Sequence, residues 1–481
     1  MTPASPPTNR HTERLTSPNS RAEHGRPRRI LIECTPTFRH DCGTGVQRVV
    51  RNIVNHASLV GRELGIECHG VAHDPTYGFQ IVGAMPPKPH ATPVSEAPAA
   101  NVLPTSPRTL PLLKGALRRS LAVTGLLVPA RQAKRVVDRT LASARKAVDR
   151  KRREAASVQP GPGDVLLLTD TIWNTPDVWD GVNRACARGA TLGAIIYDLI
   201  PLHFAELYGP SMEAIFGQWF RNVATKAEFA VCISRSTWED VESYLTARGG
   251  LGRRGPALAG SWFRLGEGLE ARGDQGPVRP QLRELFTPGN PRGDNPYLIV
   301  GSFDPRKDLV TVVKAFEQLW SARGKARLVV IGRGSPGQNT PLERMVLDHP
   351  QFGRGLFCFP DVEDAELDFC YRNSAALVTA SYAEGFNLPI VESLGRGRGV
   401  LASDIPVHRE VAGANAAYFT PRAPESLASL IERHQAGELG DLAARLENFR
   451  WPDWRESSRE LLENILKLYS ASPVSSHTQA A

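Results

Sequence analysis

At 481 residues, with 58 lysines and arginines against 50 aspartates and glutamates and a formal net charge of +8, the chain is too long for one ordinary core and reads as two domains of roughly 150–200 residues each. Its hydrophobic content of 41% and charged content of 22% are those of a soluble globular protein, and no run of about 18 apolar residues offers a membrane span. The seven cysteines are odd in number and scattered without a C-x-x-C pair, which argues against a disulfide framework or zinc site and for a reducing cytoplasm.

Residues 1–27 are rich in Pro, Ser, Thr and Arg and have no apolar h-region, so a disordered tail is expected rather than a secretory signal. Arg29–Glu33 reads as the first buried strand of a parallel sheet. Gly43-Thr44-Gly45 then turns the chain into a helix with Val46, Val49, Val50, Ile53 and Val54 on one side. This is a βα unit of a doubly wound domain, whose glycine turn admits a ligand close to the backbone; close helix–sheet packing would explain the same glycines. Ile66–Val71 is a second strand, and Pro86–Pro107 is a flexible connection. The stretch Leu112–Ala156 is strongly basic and partly amphipathic. Within an insert at about 86–160 it fits either a solvated helix or one lying on an anionic membrane surface, at about 1 kcal/mol per basic residue near that surface. It lacks aromatic residues for base stacking, which argues against nucleic acid.

Order returns with the strands Asp164–Leu168 and Gly193–Tyr197, the second followed by Asp198 and His203. Polar groups at the carboxyl ends of parallel strands line the ligand crevice of an open α/β sheet, although His203 also fits a purely local capping role. Phe229–Ile233 is the next strand, and Ser236-Thr237-Trp238-Glu239 has capping-box spacing. The Gly- and Arg-rich run Thr246–Pro280 marks an interdomain connection.

Asn295–Ser302 opens the second domain. Arg306 and Lys307 precede a helix carrying Leu309, Val312, Val313, Phe316 and Leu319, and cations beside a helix N-terminus oppose its dipole unless an anion neutralises them. Arg327–Ile331 runs into Gly332-Arg333-Gly334, and Leu356–Pro360 gives another strand. The carboxylates Asp361, Glu363 and Asp364 after it read as a helix start rather than a metal site. Ala375–Ala380 is a buried strand, followed by SYAEGFNLPIVE at Ser381–Glu392, a tight loop and a helix from Pro389. Gly385 and Asn387 permit unusual backbone angles, and free N–H groups at the helix start suit an anion. Glu384 and Glu392 flank that place with acceptors for sugar hydroxyls, so the combination points to a nucleotide-sugar. The bland alternative is a turn cap at Glu384 and, at Glu392, a dipole interaction worth about 0.3–1 kcal/mol. The strand Gly399–Ala402, the loop Asp404–Glu410, a closing helix at Trp451–Leu468 and a loose tail complete the chain.

The segment Ser381–Glu392 resembles the E-x7-E signature of retaining glycosyltransferases of family 4 (glycosyltransferase group 1), commonly E-G-F-G-L-P-x-x-E, with Asn387 where that family has Gly. The resemblance runs from about residue 28 to 470 and is weakest across 72–160. It implies two doubly wound Rossmann-like α/β domains facing each other across a cleft, the GT-B arrangement: an acceptor-side domain over 28–275, a nucleotide-sugar-binding domain over 285–450 and a closing helix over 451–470. Carried over by residue, Lys307 contacts the donor phosphates, with Arg306 and Ser302 near the place of the family's partner arginine. Gly385, Phe386, Asn387 and Leu388 hold the diphosphate, Glu392 the ribose and Glu384 the sugar hydroxyls. Gly43, Gly45, Asp198 and His203 face the acceptor, with Tyr197-Asp198 where relatives carry His-Asp. Glu384, Lys307 and Asp198 are the implied catalytic residues. TGVQRV and DLIPL look like bacterial enzymes of surface-polysaccharide and lipopolysaccharide synthesis. The implied activity is transfer of a mannose-type sugar from GDP-mannose to a glycan or lipid-linked acceptor, in the cytoplasm or peripherally on the inner face of the plasma membrane. No cofactor or metal is expected, and no nucleic acid. An epimerase or glycan phosphorylase on the same fold, or a non-catalytic glycan-binding scaffold, are the competing readings; retention of Lys307, Glu384 and Glu392 together argues against the scaffold.

Overall fold

The computed structural model describes residues 25–40, 43–85, 155–253, 255–268, 277–286, 295–332, 340–440, 446 and 449–471. Most of the expected N-terminal tail, nearly all of the basic insert, the Arg333-Gly334 turn and the C-terminal tail lie outside the described residues. Among those described, no helix is long and apolar enough to cross a membrane, and the cysteines are free thiols.

The first sheet follows the order β4-β3-β2-β1-β5-β6-β7-β8. Its centre is β1 (Arg29–Glu33), β5 (Asp164–Leu168), β6 (Thr191–Ile196) and β7 (Phe229–Cys232), parallel and almost wholly buried. These are unbroken apolar runs because helices cover both faces. The second sheet is parallel throughout in the order β11-β10-β9-β12-β13-β14. Its strands are β9 (Tyr297–Val300), β10 (Leu328–Ile331), β11 (Leu356–Phe359), β12 (Leu377–Thr379), β13 (Val400–Ser403) and β14 (Ala416–Phe419). In this sheet the strand order reverses between β9 and β12, so the loops leaving those two strands diverge to opposite faces and open a crevice, the usual ligand position in such folds.

Three boundaries differ from the sequence reading. The hairpin partner β3 (Gly78–Val82) and the short β4 (Ser157–Val158) extend the first sheet antiparallel beyond β2 (Glu67–Asp74). The run Thr246–Pro280 is not connection throughout, because β8 (Ala259–Trp262) lies within it and pairs parallel with β7. The helix Pro280–Phe286 spans the boundary expected at 285, and it packs on the helix Asp364–Asn373, with Phe286 edge-on to Phe369.

The closing helix is Trp454–Ala471. It returns to the first domain: Leu461, Leu462 and Ile465 are fully buried, Ser457 Oγ donates to the Arg264 carbonyl at 2.6 Å, and Asn464 donates to the Trp262 carbonyl at 2.8 Å. Arg455 and Arg459 both pair with Glu63.

Candidate active site

Two glycines shape the crevice where β9 and β10 end. Gly301 and Gly332 end β9 and β10 with φ of 152° and 145°. A Cβ on Gly332 would lie 1.8 Å from the Gly301 carbonyl oxygen, so only glycine fits. Beyond Gly301, Asp304 caps the turn Pro305–Lys307 by accepting from the Arg306 N–H at 3.0 Å. Asp308, in left-handed backbone at φ 49°, caps the next helix through the Thr311 N–H. This pair of caps fixes where Arg306 and Lys307 point.

They point at Glu384. Lys307 Nζ lies 2.5 Å from Glu384 Oε1, Arg306 pairs with Oε2 and also donates to the Ala383 carbonyl at 3.1 Å, and Ser381 Oγ donates to Oε1 at 2.8 Å. Burial opposes ionisation of Glu384, but the charges of Arg306 and Lys307 outweigh it and hold the carboxyl well below the usual carboxylate range. Residues expected to serve phosphate and sugar separately therefore form one ionic cluster, and Asp304 also pairs with Arg306 at 3.4 Å, so two cations meet two carboxylates. A pocket beside it, between β9 and β12, is lined by Gly301, Ser302, Lys307, Thr379, Ser381 and Pro389 among others.

The first domain meets this cluster directly. Gly385 sits so close to the end of β6 that a Cβ would lie 2.0 Å from the Tyr197 carbonyl oxygen and 3.3 Å from Asp198 Cβ. Its own carbonyl accepts from Ser234 Oγ at 2.7 Å and Thr237 Oγ1 at 3.2 Å. Asp198 accepts from the Ile200 N–H at 3.0 Å; burial pushes its carboxyl up, with Arg306 pulling the other way. Tyr208 adds a hydrogen bond to Asp304 at 3.2 Å, and Glu410 accepts from the Arg235 and Ser236 N–H groups at 2.7 and 2.8 Å. Gly385→Ala is expected to force the two loops apart, lowering stability by about 1–3 kcal/mol. Thermal unfolding would check it, and a wild-type midpoint would disprove the contact.

Several expected site residues also hold local structural contacts. Phe386 is buried against Trp451 at 6.0 Å between ring centroids, so its ring anchors the loop in the core. His203 pairs with Asp240 at 2.8 Å and meets Tyr244 edge-on. The helix after the loop starts at Leu388, one residue before Pro389, with Asn387 at φ 78° as its N-cap. Asn387 turns inward, donating to Thr379 Oγ1 at 2.8 Å and meeting His408 Nε2 at 2.9 Å. His408 is pushed down to about 4 by burial, so it is neutral, donating from Nδ1 to the Ser403 carbonyl and accepting at Nε2. The capping residue of the helix Arg235–Ala247 is Ser234 rather than Ser236. Gly43 (φ 69°) and Gly45 flank Thr44, which with Gln47 forms a capping box, and nothing lies within 4 Å of a Cβ placed on Gly45. Asp361 and Glu366 both pair with Arg279.

Glu392 is nearly fully buried and both of its oxygens are engaged, by Tyr371 OH at 2.7 Å and by Arg48 of the first domain at 2.5 Å. Arg48 and Tyr371 were not singled out from sequence. Arg48 does stand one turn into the helix that follows the glycine turn, where a side chain can reach the cleft.

Residues 282–448 match the family described as Glycosyl transferases group 1. Over 303 residues the chain is 29% identical to the serotype-specific mannosyltransferase WbdA of Escherichia coli, covering 63% of this chain and 37% of that protein. It is 31% identical over 156 residues to the O-antigen chain mannosyltransferase RfbU of Salmonella typhimurium, covering 32% of this chain and 42% of that one. The chain thus spans less than half the length of these curated relatives. The solved sucrose-phosphate synthase of Thermosynechococcus elongatus superposes with a TM-score of 0.55 at 16% identity over 92% of this chain and 100% of that one, a likeness of fold. On this fold and this match, residues 282–448 are a glycosyl transferases group 1 domain, and the chain has a two-domain α/β fold with the GT-B arrangement.

Proposed function

We propose that the chain is a retaining hexosyltransferase that moves a mannose-type sugar from GDP-mannose to a glycan or lipid-linked acceptor in surface-polysaccharide synthesis. The observation that carries this reading is the buried Glu384 held between Arg306 and Lys307, opposite Asp198 and at the mouth of the β9–β12 crevice. Arg306 and Lys307 receive the donor diphosphate and stabilise the charge that develops on it as the sugar–phosphate bond breaks. Glu384, kept ionised by the same two cations, accepts hydrogen bonds from the sugar hydroxyls, and Glu392 accepts from the ribose. The acceptor approaches from the open side of Gly45 and Asp198. The two cations do the charge stabilisation that a metal performs in other transferases, so no metal is needed. The names of the mannosyltransferase relatives support the sugar and the O-antigen context. The basic composition of 112–156 supports work at the anionic cytoplasmic face of a membrane.

Thermal unfolding with UDP, GDP, dTDP and ADP, without added metal, tests the donor site. A nucleotide at 100 times its dissociation constant adds about 2.7 kcal/mol to stability. The expected result is a selective upward shift with GDP that Glu392→Ala abolishes; no shift with any of the four would overturn the reading.

A further inference from the structure

One charged side chain of the first domain reaches into the second. Arg48, on the helix Gly45–Glu63, places Nη1 2.5 Å from Glu392 Oε1 and donates from Nη2 to the Gly268 carbonyl at 2.6 Å. Gly268 lies in the segment leading from the first domain to the second, and its carbonyl also accepts from Trp454 Nε1 at 3.3 Å, at the start of the returning helix. A single guanidinium therefore joins the acceptor-side helix, the crossover and the carboxylate of the E-x7-E segment. The side chains of Arg48 and Glu392 are only 20% and 2% exposed, and a pair so covered forms only when the two domains hold this relative placement. The planar fork of arginine serves both partners at once from two separate nitrogens, a fixed spread that the single nitrogen of a lysine does not reproduce.

We propose that Arg48 is a positioning residue for donor binding, holding the Glu392 carboxylate aimed so that a nucleotide ribose binds it only when the cleft is closed. The proposal rests on the donor-site reading above. Each oxygen of a carboxylate offers about two lone-pair positions. Arg48 takes one on Oε1 and Tyr371 takes one on Oε2, which leaves one on each oxygen for the two vicinal hydroxyls of a ribose. Without Arg48 the carboxylate would keep Tyr371 alone as its partner, and nothing would fix the direction in which Oε1 points.

The test is calorimetric titration of the full chain with whichever of GDP, UDP, dTDP and ADP stabilises it most, in wild type, Arg48→Lys, Arg48→Ala, Glu392→Gln and the Arg48→Ala/Glu392→Gln double variant. Arg48→Ala and Glu392→Gln are each expected to weaken binding about tenfold, within the range usual for coupled sites. The double variant is expected to be no weaker than Glu392→Gln alone, because Arg48 acts through that carboxylate. Arg48→Lys, which keeps the charge and folds if the alanine variant does not, is expected to weaken binding severalfold and to raise the donor KM with little change in kcat. Unchanged binding in Arg48→Lys and Arg48→Ala, tighter binding, or losses that multiply in the double variant would each overturn the proposal. If Glu392→Gln alone binds like wild type while Arg48→Ala does not, the ribose reading of Glu392 fails, and the proposal with it. Failure of all four nucleotides to bind overturns the donor site itself.

Discussion

Glu384→Gln is expected to reduce the transfer rate at saturating donor by about 10²–10³, the loss typical of removing one preorganised electrostatic contact at a reacting centre. The amide keeps the shape and much of the burial but not the charge. Arg306 and Lys307 would then face a neutral group whose NH2 end repels one of them, and the acceptor set offered to the sugar hydroxyls would fall from two oxygens to one. Stability should suffer less than activity. Breaking a fully buried ion pair costs about 3–5 kcal/mol, but the Arg306 and Lys307 side chains are each 19% exposed and can turn toward solvent. The Glu384 carboxyl lies below its unfolded value, so its stabilisation is present above the ordinary carboxylate range and is lost as pH falls toward the folded value. The variant should therefore unfold less steeply in acid than wild type. Single-turnover product formation, with unfolding midpoints as the folding control, decides the matter; a variant that keeps more than half the wild-type rate would show that Glu384 has only a capping role.

The strands legible from sequence were those whose physics is local. RILIE, DVLLL and FAVC are buried on both faces and so read as continuous apolar runs. The hairpin strand β3 carries a mixed, half-exposed pattern, and its partner β4 has two residues drawn from far along the chain, so no local period announces either. The strand β8, AGSW, is short and glycine-bearing within a Gly-rich run, and it is held by its pairing with β7 instead of its own propensity. At the site, the spacing of Glu384 and Glu392 and the cations at 306 and 307 were visible. That the cations neutralise Glu384 was not, because phosphate chemistry and sugar chemistry each accounted for its own residues without requiring them to touch. The partner of Glu392 was invisible for a simpler reason: Arg48 lies 344 positions away, and only closure of one domain on the other brings it there. The burial of the Phe386 ring against Trp451 was also out of sight, because a motif position carries no sign of which way its ring turns.

A second large effect is expected from Glu33, at the carboxyl end of β1, in a protein-wide property rather than in catalysis. Its side chain is fully buried; Oε1 accepts from the Thr35 N–H at 2.8 Å, and Oε2 has no hydrogen-bond partner among the described residues. Burial, and after it the charge of Asp170 across from it at the end of β5, push the Glu33 carboxyl up to about 8. In the unfolded chain the same group titrates near about 4.3. Between those values the unfolded chain has released the proton and the folded chain keeps it, so the folded state binds more protons and stability falls as pH rises. The contribution is fully present below about pH 4 and is lost as pH passes through about 8. At about 1.4 kcal/mol per unit the loss is on the order of a few kcal/mol. Glu33→Gln keeps an acceptor for Thr35 and is neutral at every pH, so it should be more stable than wild type at pH 8 and show little of the decline. His203 and His408 also titrate differently in the folded chain, one raised by Asp240 and the other lowered by burial, and they act equally in both proteins. The informative quantity is therefore the difference between variant and wild type, taken from denaturant unfolding at pH 5 and at pH 8. A difference that grows by a few kcal/mol over that interval places a protonated carboxylic acid at the carboxyl end of β1, whereas a difference that stays constant would mean Glu33 is ionised in the folded protein and has a partner that offsets its burial.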